Sequence, residues 1–308
     1  MRVSFANSIT EIAQYNDNVV LLSGDIGNRM FDDLQATKPD QFYNCGIAEA
    51  NMMSVAAGMA LSGLKPFVYT ITPFTTTRCL EQIRVDVCYH DAPVVIVGTG
   101  SGLSYAQLGP THHSLEDIAI MRALPNMTVF CPCDALEVQM GIKAALNYKK
   151  PLYIRLGKKG EAVFHKTLRE DFAFGRSITI RPGNDVCILS VGNAINVAME
   201  AAELLVASNI DTCVESFHTI KPLDTSRLTA VFNKFEKVCI LEEHSKIGGL
   251  TSAISEWLIQ NAPEMGYKFC AVNFEDKFQH YVTSQNNLRE MNSFTAQSIF
   301  NKLSNLGA

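Results

Sequence analysis

Almost from end to end, the chain alternates short apolar runs rich in β-branched residues with longer stretches whose apolar positions follow helical spacing. The runs at 18–23, 67–71, 93–98, 127–131 and 152–156 lack the polar alternation of a half-exposed strand, so they suit strands buried on both faces. Helical patterns fill the gaps at 4–15, 48–61, 76–89, 115–124 and 135–148. Strands separated by helices pair through crossovers, which predicts a doubly wound parallel sheet. Ser114 ahead of Leu-Glu-Asp and Asp134 ahead of Ala-Leu-Glu read as helix caps.

Residues 157–183 break the alternation with polar and turn-forming sequence, opening on Gly157-Lys-Lys-Gly-Glu and ending on Arg181-Pro-Gly-Asn. The pattern resumes with strands at 186–191, 211–217, 238–242 and 268–273 and helices at 194–207, 225–235 and 250–260, Asp224 capping the second of these helices. This division gives a first α/β domain at 1–160, a linker at 161–183 and a second, smaller α/β domain at 184–308. A length of 308 residues is enough for two cores.

With 47% hydrophobic and 19% charged residues, the composition is that of a globular enzyme. A net charge of −5 without a Lys/Arg cluster argues against a nucleic-acid partner. No apolar run approaches the roughly 20 residues of a membrane span, and the first residues lack the apolar core of a signal peptide. Nine cysteines, an odd number scattered through apolar runs, read as reduced thiols of a cytoplasmic protein. Cys131-Pro-Cys133 has the wrong spacing for a CxxC half-site, and a metal set joining it to His112 and His113 is a remote reading.

One carboxylate stands out. Glu49 follows a mostly apolar strand-like run at 41–45 and opens an otherwise apolar helix, at the strand end where open α/β sheets bind ligands. Two readings are open there. Glu49 is either an exposed first-turn acid favoured by the helix dipole, or a buried carboxyl that needs a partner or a proton. The second suits it to hydrogen-bond a heterocyclic nitrogen and exchange a proton with it.

Seven segments, in order and in register, carry more. They are Ser23-Gly-Asp-Ile, Gly46-Ile-Ala-Glu-Ala, Pro73-Phe-Thr-Thr-Thr-Arg-Cys-Leu-Glu-Gln-Ile-Arg, Gly109-Pro-Thr-His-His-Ser-Leu-Glu-Asp, Leu124-Pro-Asn-Met, Pro132-Cys-Asp and Tyr153-Ile-Arg. Together they resemble the C-terminal two-thirds of transketolase and of 1-deoxyxylulose-5-phosphate synthase, from about residue 2 to 300. The resemblance implies an α/β thiamine-diphosphate enzyme pyrimidine-binding domain followed by a smaller α/β transketolase C-terminal domain. It implies that Glu49 hydrogen-bonds N1′ of the cofactor's aminopyrimidine and so promotes loss of the C2 proton. It implies that Phe74 stacks on that ring, that Asp25 lies near the cofactor, and that His112 handles substrate oxygens. His113 is implied as a further substrate contact and Arg155 as the anchor of a substrate phosphate, through its bidentate fork. Arg78 is left between a substrate contact and a pair with Glu81. His244 and Gly248-Gly249 also match, with no chemistry assigned.

Two departures bear on function. Leu108 stands where transketolase has an Asp that reads a sugar hydroxyl, which leaves the sugar open. Gly24-Asp-Ile-Gly27 does not fit the family's diphosphate and Mg²⁺ motif, so this chain is assigned no metal ligand. The expectation is therefore the C-terminal subunit of a split, thiamine-diphosphate-dependent transketolase acting on phosphorylated sugars. Its separate N-terminal partner would hold the diphosphate and Mg²⁺, the small residues around Glu49 would let helices approach closely at the interface with it, and the chain would form a homodimer and an α2β2 assembly. Other readings of the same domain order stay open: the β subunit of a 2-oxoacid dehydrogenase, a 1-deoxyxylulose-5-phosphate synthase fragment, or a non-catalytic scaffold.

Overall fold

The apolar runs become the central strands of two sheets in a computed structural model that describes residues 1–26 and 29–306. Gly27, which closes the Gly24-Asp-Ile-Gly segment, lies outside the described residues. The first sheet contains β1 (Val19–Ser23), β2 (Phe42–Asn44), β3 (Lys65–Ile71), β4 (Val95–Thr99), β5 (Thr128–Phe130) and β6 (Leu152–Leu156). The second contains β7 (Ile178–Arg181), β8 (Val186–Val191), β9 (Thr212–Ser216), β11 (Val238–Ser245) and β12 (Phe269–Phe274). A further strand, β10 (Thr219–Lys221), follows β9 in sequence but joins the first sheet.

The orders are β10-β5-β6-β4-β3-β1-β2 and β12-β11-β8-β9-β7. Each sheet is parallel except at one edge: β10 runs antiparallel to β5, and β7 antiparallel to β9. The doubly wound sheets expected from the alternation are present. The edges differ from expectation, because β7 forms inside the stretch read as linker and β10 carries second-domain sequence into the first sheet.

Side-chain alternation along the strands splits the first domain's core in two. Val19, Leu21, Phe67 and Val95 pack with the helices Arg2–Ala13 and Ala135–Ala145 on one face. Val20, Leu22, Val68 and Ile96 face the helix Glu49–Leu61 on the other, in a core that continues into the second domain through Leu189, Phe232 and Ile240. Among the described residues no helix is long and apolar enough to cross a membrane.

Local chemistry explains where helix boundaries depart from the sequence pattern. Asp134 and Asp224 cap as expected, Asp134 accepting from the backbone N–H groups of Leu136 and Glu137 and Asp224 from that of Arg227. Ser114 does not: its helix begins at Asp117, and its hydroxyl is buried without a partner. The helix expected over 76–89 is broken into a turn at Thr72–Thr75, a 3₁₀ turn at Thr77–Cys79 and a π-helical run at Ile83–Tyr89. Threonine hydroxyls cause the break at its start, Thr76 Oγ1 donating to the Thr72 carbonyl at 2.7 Å and Thr77 Oγ1 to that of Pro73 at 2.9 Å.

The Thr72–Thr75 turn lies against Gly98 of β4, where a Cβ would stand 2.9 Å from Thr72 Oγ1 and 3.2 Å from the Thr72 Cα. Gly98→Val is expected to lower the unfolding free energy by about 1–3 kcal/mol through overpacking. Gly58→Ala, at a helix position where an added Cβ meets nothing within 4 Å, is expected to raise it by about 0.5–1 kcal/mol. Urea unfolding of the two variants checks both signs.

Candidate active site

Glu49 is the first residue of its helix and is 4% exposed. Its Oε1 accepts a hydrogen bond from Arg78 Nη1 at 2.9 Å, while its Oε2 is buried with no partner. The paired half of the carboxylate decides between the two sequence readings, since this is a buried acid with an ion-pair partner. Arg78 therefore pairs with Glu49 rather than Glu81. The other half is an acceptor lacking a donor, uncommon in a folded interior.

From Arg78 a run of contacts leads away from the carboxylate. Its guanidinium carbon lies 4.2 Å from the centre of the Phe74 ring. Phe74 meets His112 edge-on, ring centres 5.3 Å apart, and His112 meets Tyr105 at 6.3 Å. Strand ends and turns supply these residues: Phe74 follows β3, and the segment from Gly100 to His113 follows β4. Gly109, at φ +78°, turns the backbone just ahead of His112. Burial first, and the Arg78 charge second, hold the His112 imidazole below its ordinary value, which favours the neutral ring.

Beyond Tyr105 lies a pair of cations that sequence reasoning did not select. Arg2 Nη1 donates to the Tyr105 hydroxyl at 3.5 Å and its Nε is buried without a partner, while the Lys158 ammonium lies 4.7 Å from the centre of the Tyr105 ring. Burial and then the charges of Arg2 and Lys159 lower the Lys158 pKa. Cations that destabilise one another beside an unpaired N–H form a place for an anion. The available signal was Lys158-Lys159, just beyond the end of β6.

Arg155, read from the sequence as the phosphate anchor, is corrected here. It is 1% exposed, with Nε donating to Asp117 Oδ2 at 2.7 Å and Nη2 donating to the carbonyls of Ser114 at 2.8 Å and Glu243 at 3.1 Å. Tyr153 donates to the same Asp117 oxygen at 2.6 Å. Burial alone would raise the Asp117 pKa, but the nearby positive charge, Arg155 foremost, and the hydrogen bonds from Arg155 and Tyr153 together outweigh it, and the net shift is downward. The guanidinium is committed to joining β6, the His112 loop and β11.

Other sequence candidates divide. His113 is buried, its Nε2 3.4 Å from the Ala106 carbonyl and its Nδ1 unpartnered. It lines a cavity of about 390 Å³ together with Thr76, Pro110, Ser114 and Gln279, and Ser114 Oγ and Gln279 Nε2 are also buried without partners. Asp25 stands apart from this run. It is exposed at the end of β1, accepting from Asn44 Nδ2 at 3.2 Å and donating its backbone N–H to the Gly46 carbonyl at 2.8 Å. Leu108 is half-exposed on a 3₁₀ turn. Among the described residues His112 and His113 do not join Cys131 and Cys133 in a ligand set; Cys133 instead neighbours Glu137 and His165.

Asp117→Asn would leave the Arg155 charge buried and uncompensated, and is expected to cost about 3–5 kcal/mol of stability at neutral pH. Because the folded-state pKa of Asp117 is depressed, its contribution is present above the ordinary carboxylate range and is lost as pH falls through the folded value. Urea unfolding at neutral and acid pH should therefore show the variant and the wild type converging in acid.

Comparison with known proteins identifies the two domains. Residues 1–160 match the family model for the transketolase pyrimidine-binding domain, and residues 175–284 that for the transketolase C-terminal domain. The chain is 33% identical over 261 residues to a subunit of the apulose-4-phosphate transketolase of Phocaeicola vulgatus, covering 84% of each chain. It is 34% identical over 264 residues to the 6-deoxy-6-sulfo-D-fructose transketolase subunit SqwH of a Clostridium species, covering 85% of this chain and 82% of that one. A solved structure described as a split-gene transketolase, inactive β4 tetramer, superposes with a TM-score of 0.90 at 33% identity, covering 99% of this chain and 97% of the other. Two matched domains that together span most of the sequence, and relatives aligned over more than four-fifths of their length, show that this chain belongs to the transketolase family.

Proposed function

We propose that this chain is the aminopyrimidine-binding subunit of a heteromeric transketolase that moves a two-carbon ketol unit from a phosphorylated ketose to an aldose. The observation that carries the reading is Glu49 Oε2, a buried acceptor without a donor, next to an ion pair that holds the carboxylate in place. A heterocyclic N–H supplies the missing donor, and the half-buried Phe74 ring offers a flat face beside it. When bound, thiamine diphosphate supplies a thiazolium carbon acid and an electron sink.

The chain's residues then take distinct tasks. Glu49 holds the aminopyrimidine nitrogen and keeps a proton there. Phe74 packs on the ring, and Asp25 flanks the cofactor from the end of β1. Neutral His112 can accept or donate a proton at a substrate oxygen. His113 offers a hydrogen bond to a sugar hydroxyl from the wall of its cavity. Arg2 and Lys158 take over the phosphate-anchoring task from Arg155.

The diphosphate and Mg²⁺ are assigned to a separate partner subunit. Support comes from the naming of the relatives as subunits and from exposed apolar residues at the two ends of the Glu49 helix, where Ile47 is 84% and Leu61 60% exposed. Along the helix, Asn51, Val55 and Gly58 form an exposed face with few charges, while the small residues Ala56, Ala57 and Ala60 pack inward. A β–β dimer flanked by two partner subunits covers this surface.

Isolation from native cells under mild conditions should recover a second polypeptide with bound thiamine diphosphate; recovery of the chain alone and free of cofactor contradicts the reading. In the recovered complex, Glu49→Gln is expected to lower kcat by about 10²–10⁴-fold while leaving the unfolding transition in place. Near-normal turnover in that variant would remove Glu49 from catalysis. Lys158→Ala should raise KM for phosphorylated sugars and leave that for their unphosphorylated counterparts unchanged; equal effects on both would reject the anchor.

A further inference from the structure

We propose that Cys133, Glu137 and His165 form a site for a thiophilic divalent cation of the zinc class, separate from the residues proposed for sugar transfer. Cys133 follows β5, Glu137 lies in the first turn of the helix Ala135–Ala145, and His165 comes from the segment between β6 and β7. The thiol sulfur, a carboxylate oxygen and a ring nitrogen all lie within 4.8 Å of one another.

Hydrogen bonding around the three is already arranged for a cation. Asp134 Oδ2 lies 2.9 Å from His165 Nδ1 and also accepts the backbone N–H groups of Phe164 at 2.8 Å and His165 at 3.0 Å. A carboxylate so placed keeps the proton on Nδ1 and leaves Nε2 as the free ring nitrogen, the usual second partner of a metal-bound histidine. That Nε2 points at Glu137 Oε1 across 3.5 Å. Neither atom has a hydrogen-bond partner, and the side chains are 5% and 0% exposed.

A ring nitrogen and a buried carboxylate oxygen facing each other are satisfied by a positive charge between them, either a proton on Nε2 or a metal ion held by both. The separation is long for a hydrogen bond. It is close to the roughly 3.4 Å between two ligand atoms held about 2.1 Å from a tetrahedral zinc. Glu137 keeps its other oxygen, Oε2, for the Cys133 backbone N–H at 2.7 Å, which fixes the carboxylate plane.

The donor set selects the metal. One sulfur, one imidazole nitrogen and one oxygen suit zinc and not magnesium, which takes oxygen ligands in octahedral geometry. A thiol must lose its proton to become a ligand, so the site takes up its cation with release of a proton. Three protein ligands leave one tetrahedral position for water. The cation would pin the chain at 164–165, on its way to the second domain, against the start of the helix Ala135–Ala145.

The test is titration of the chelator-stripped full chain with Co²⁺, followed by its absorption spectrum. The expected result is one cobalt per chain, with a thiolate charge-transfer band and the intense visible bands of a tetrahedral ion, both abolished by one equivalent of Zn²⁺ and unaffected by excess Mg²⁺. Cys133→Ser should lose the charge-transfer band and Cys131→Ser should retain it. If wild type binds no stoichiometric cobalt, or if the band survives in Cys133→Ser, the site does not exist. Nitrogen-15 spectra of His165 in the wild-type chain give an answer independent of any variant. A doubly protonated imidazolium unchanged by Zn²⁺ means that a proton bridges Asp134 and Glu137, and overturns the proposal.

Discussion

The buried ion pair between Arg155 and Asp117 is the constraint on which the rest of the site depends. Two charges withdrawn from water are favourable only when their remaining hydrogen-bonding groups are also satisfied. Here most of them are: Tyr153 shares the paired Asp117 oxygen and the carbonyls of Ser114 and Glu243 take the second arm of the guanidinium, with Asp117 Oδ1 left without a partner. The pair thereby ties β6 to the loop that carries His112 and to β11 of the second domain. Glu243 adds to this by accepting the Leu103 N–H, which fixes the start of the segment that leads to Tyr105. A loop clamped at both ends holds His112 against Phe74 by geometry and not by chance packing.

Around this brace, three unsatisfied polar atoms fall along the run of residues proposed as the active site. Glu49 Oε2, Arg2 Nε and His113 Nδ1 are all buried without partners, whereas Arg155 and the caps at Asp134 and Asp224 are bonded by backbone and side-chain groups. Unpaired polar atoms cost stability in an interior. Those left along this run keep binding capacity where a ring nitrogen, a phosphate and a hydroxyl can use it. The Arg78–Glu49 pair serves the same end by orienting one carboxylate oxygen and leaving the other free.

The sequence made the sheets legible because continuous apolar runs between helical patterns admit few other arrangements. Glu49 was legible for a related reason: a lone carboxylate at the start of an apolar helix is an anomaly that packing alone does not explain. What escaped was set by tertiary contacts. Arg155 and Lys158 lie three residues apart near a strand end, and only the fold reveals that the first points into the domain junction and the second onto Tyr105. Arg78 has carboxylates at both Glu81 and Glu49 within plausible reach, and the choice follows from the broken helix at Thr72–Cys79 rather than from spacing. The edge strands β7 and β10 are short and polar, so neither gave a periodic signal. His165 sits in a segment read as linker, where no local pattern connects it to Cys133.

The claim at the centre of this account is that Glu49 acts directly on bound thiamine diphosphate. Its most direct measurement is the rate of hydrogen–deuterium exchange at C2 of the cofactor, in the complex of this chain with its partner and without sugar substrate. The account predicts fast exchange in the wild type and exchange close to that of the free cofactor in Glu49→Gln, with the cofactor still bound. Equally fast exchange in the two complexes would contradict it, and would leave Glu49 as a buried acid held by Arg78 for structural reasons alone.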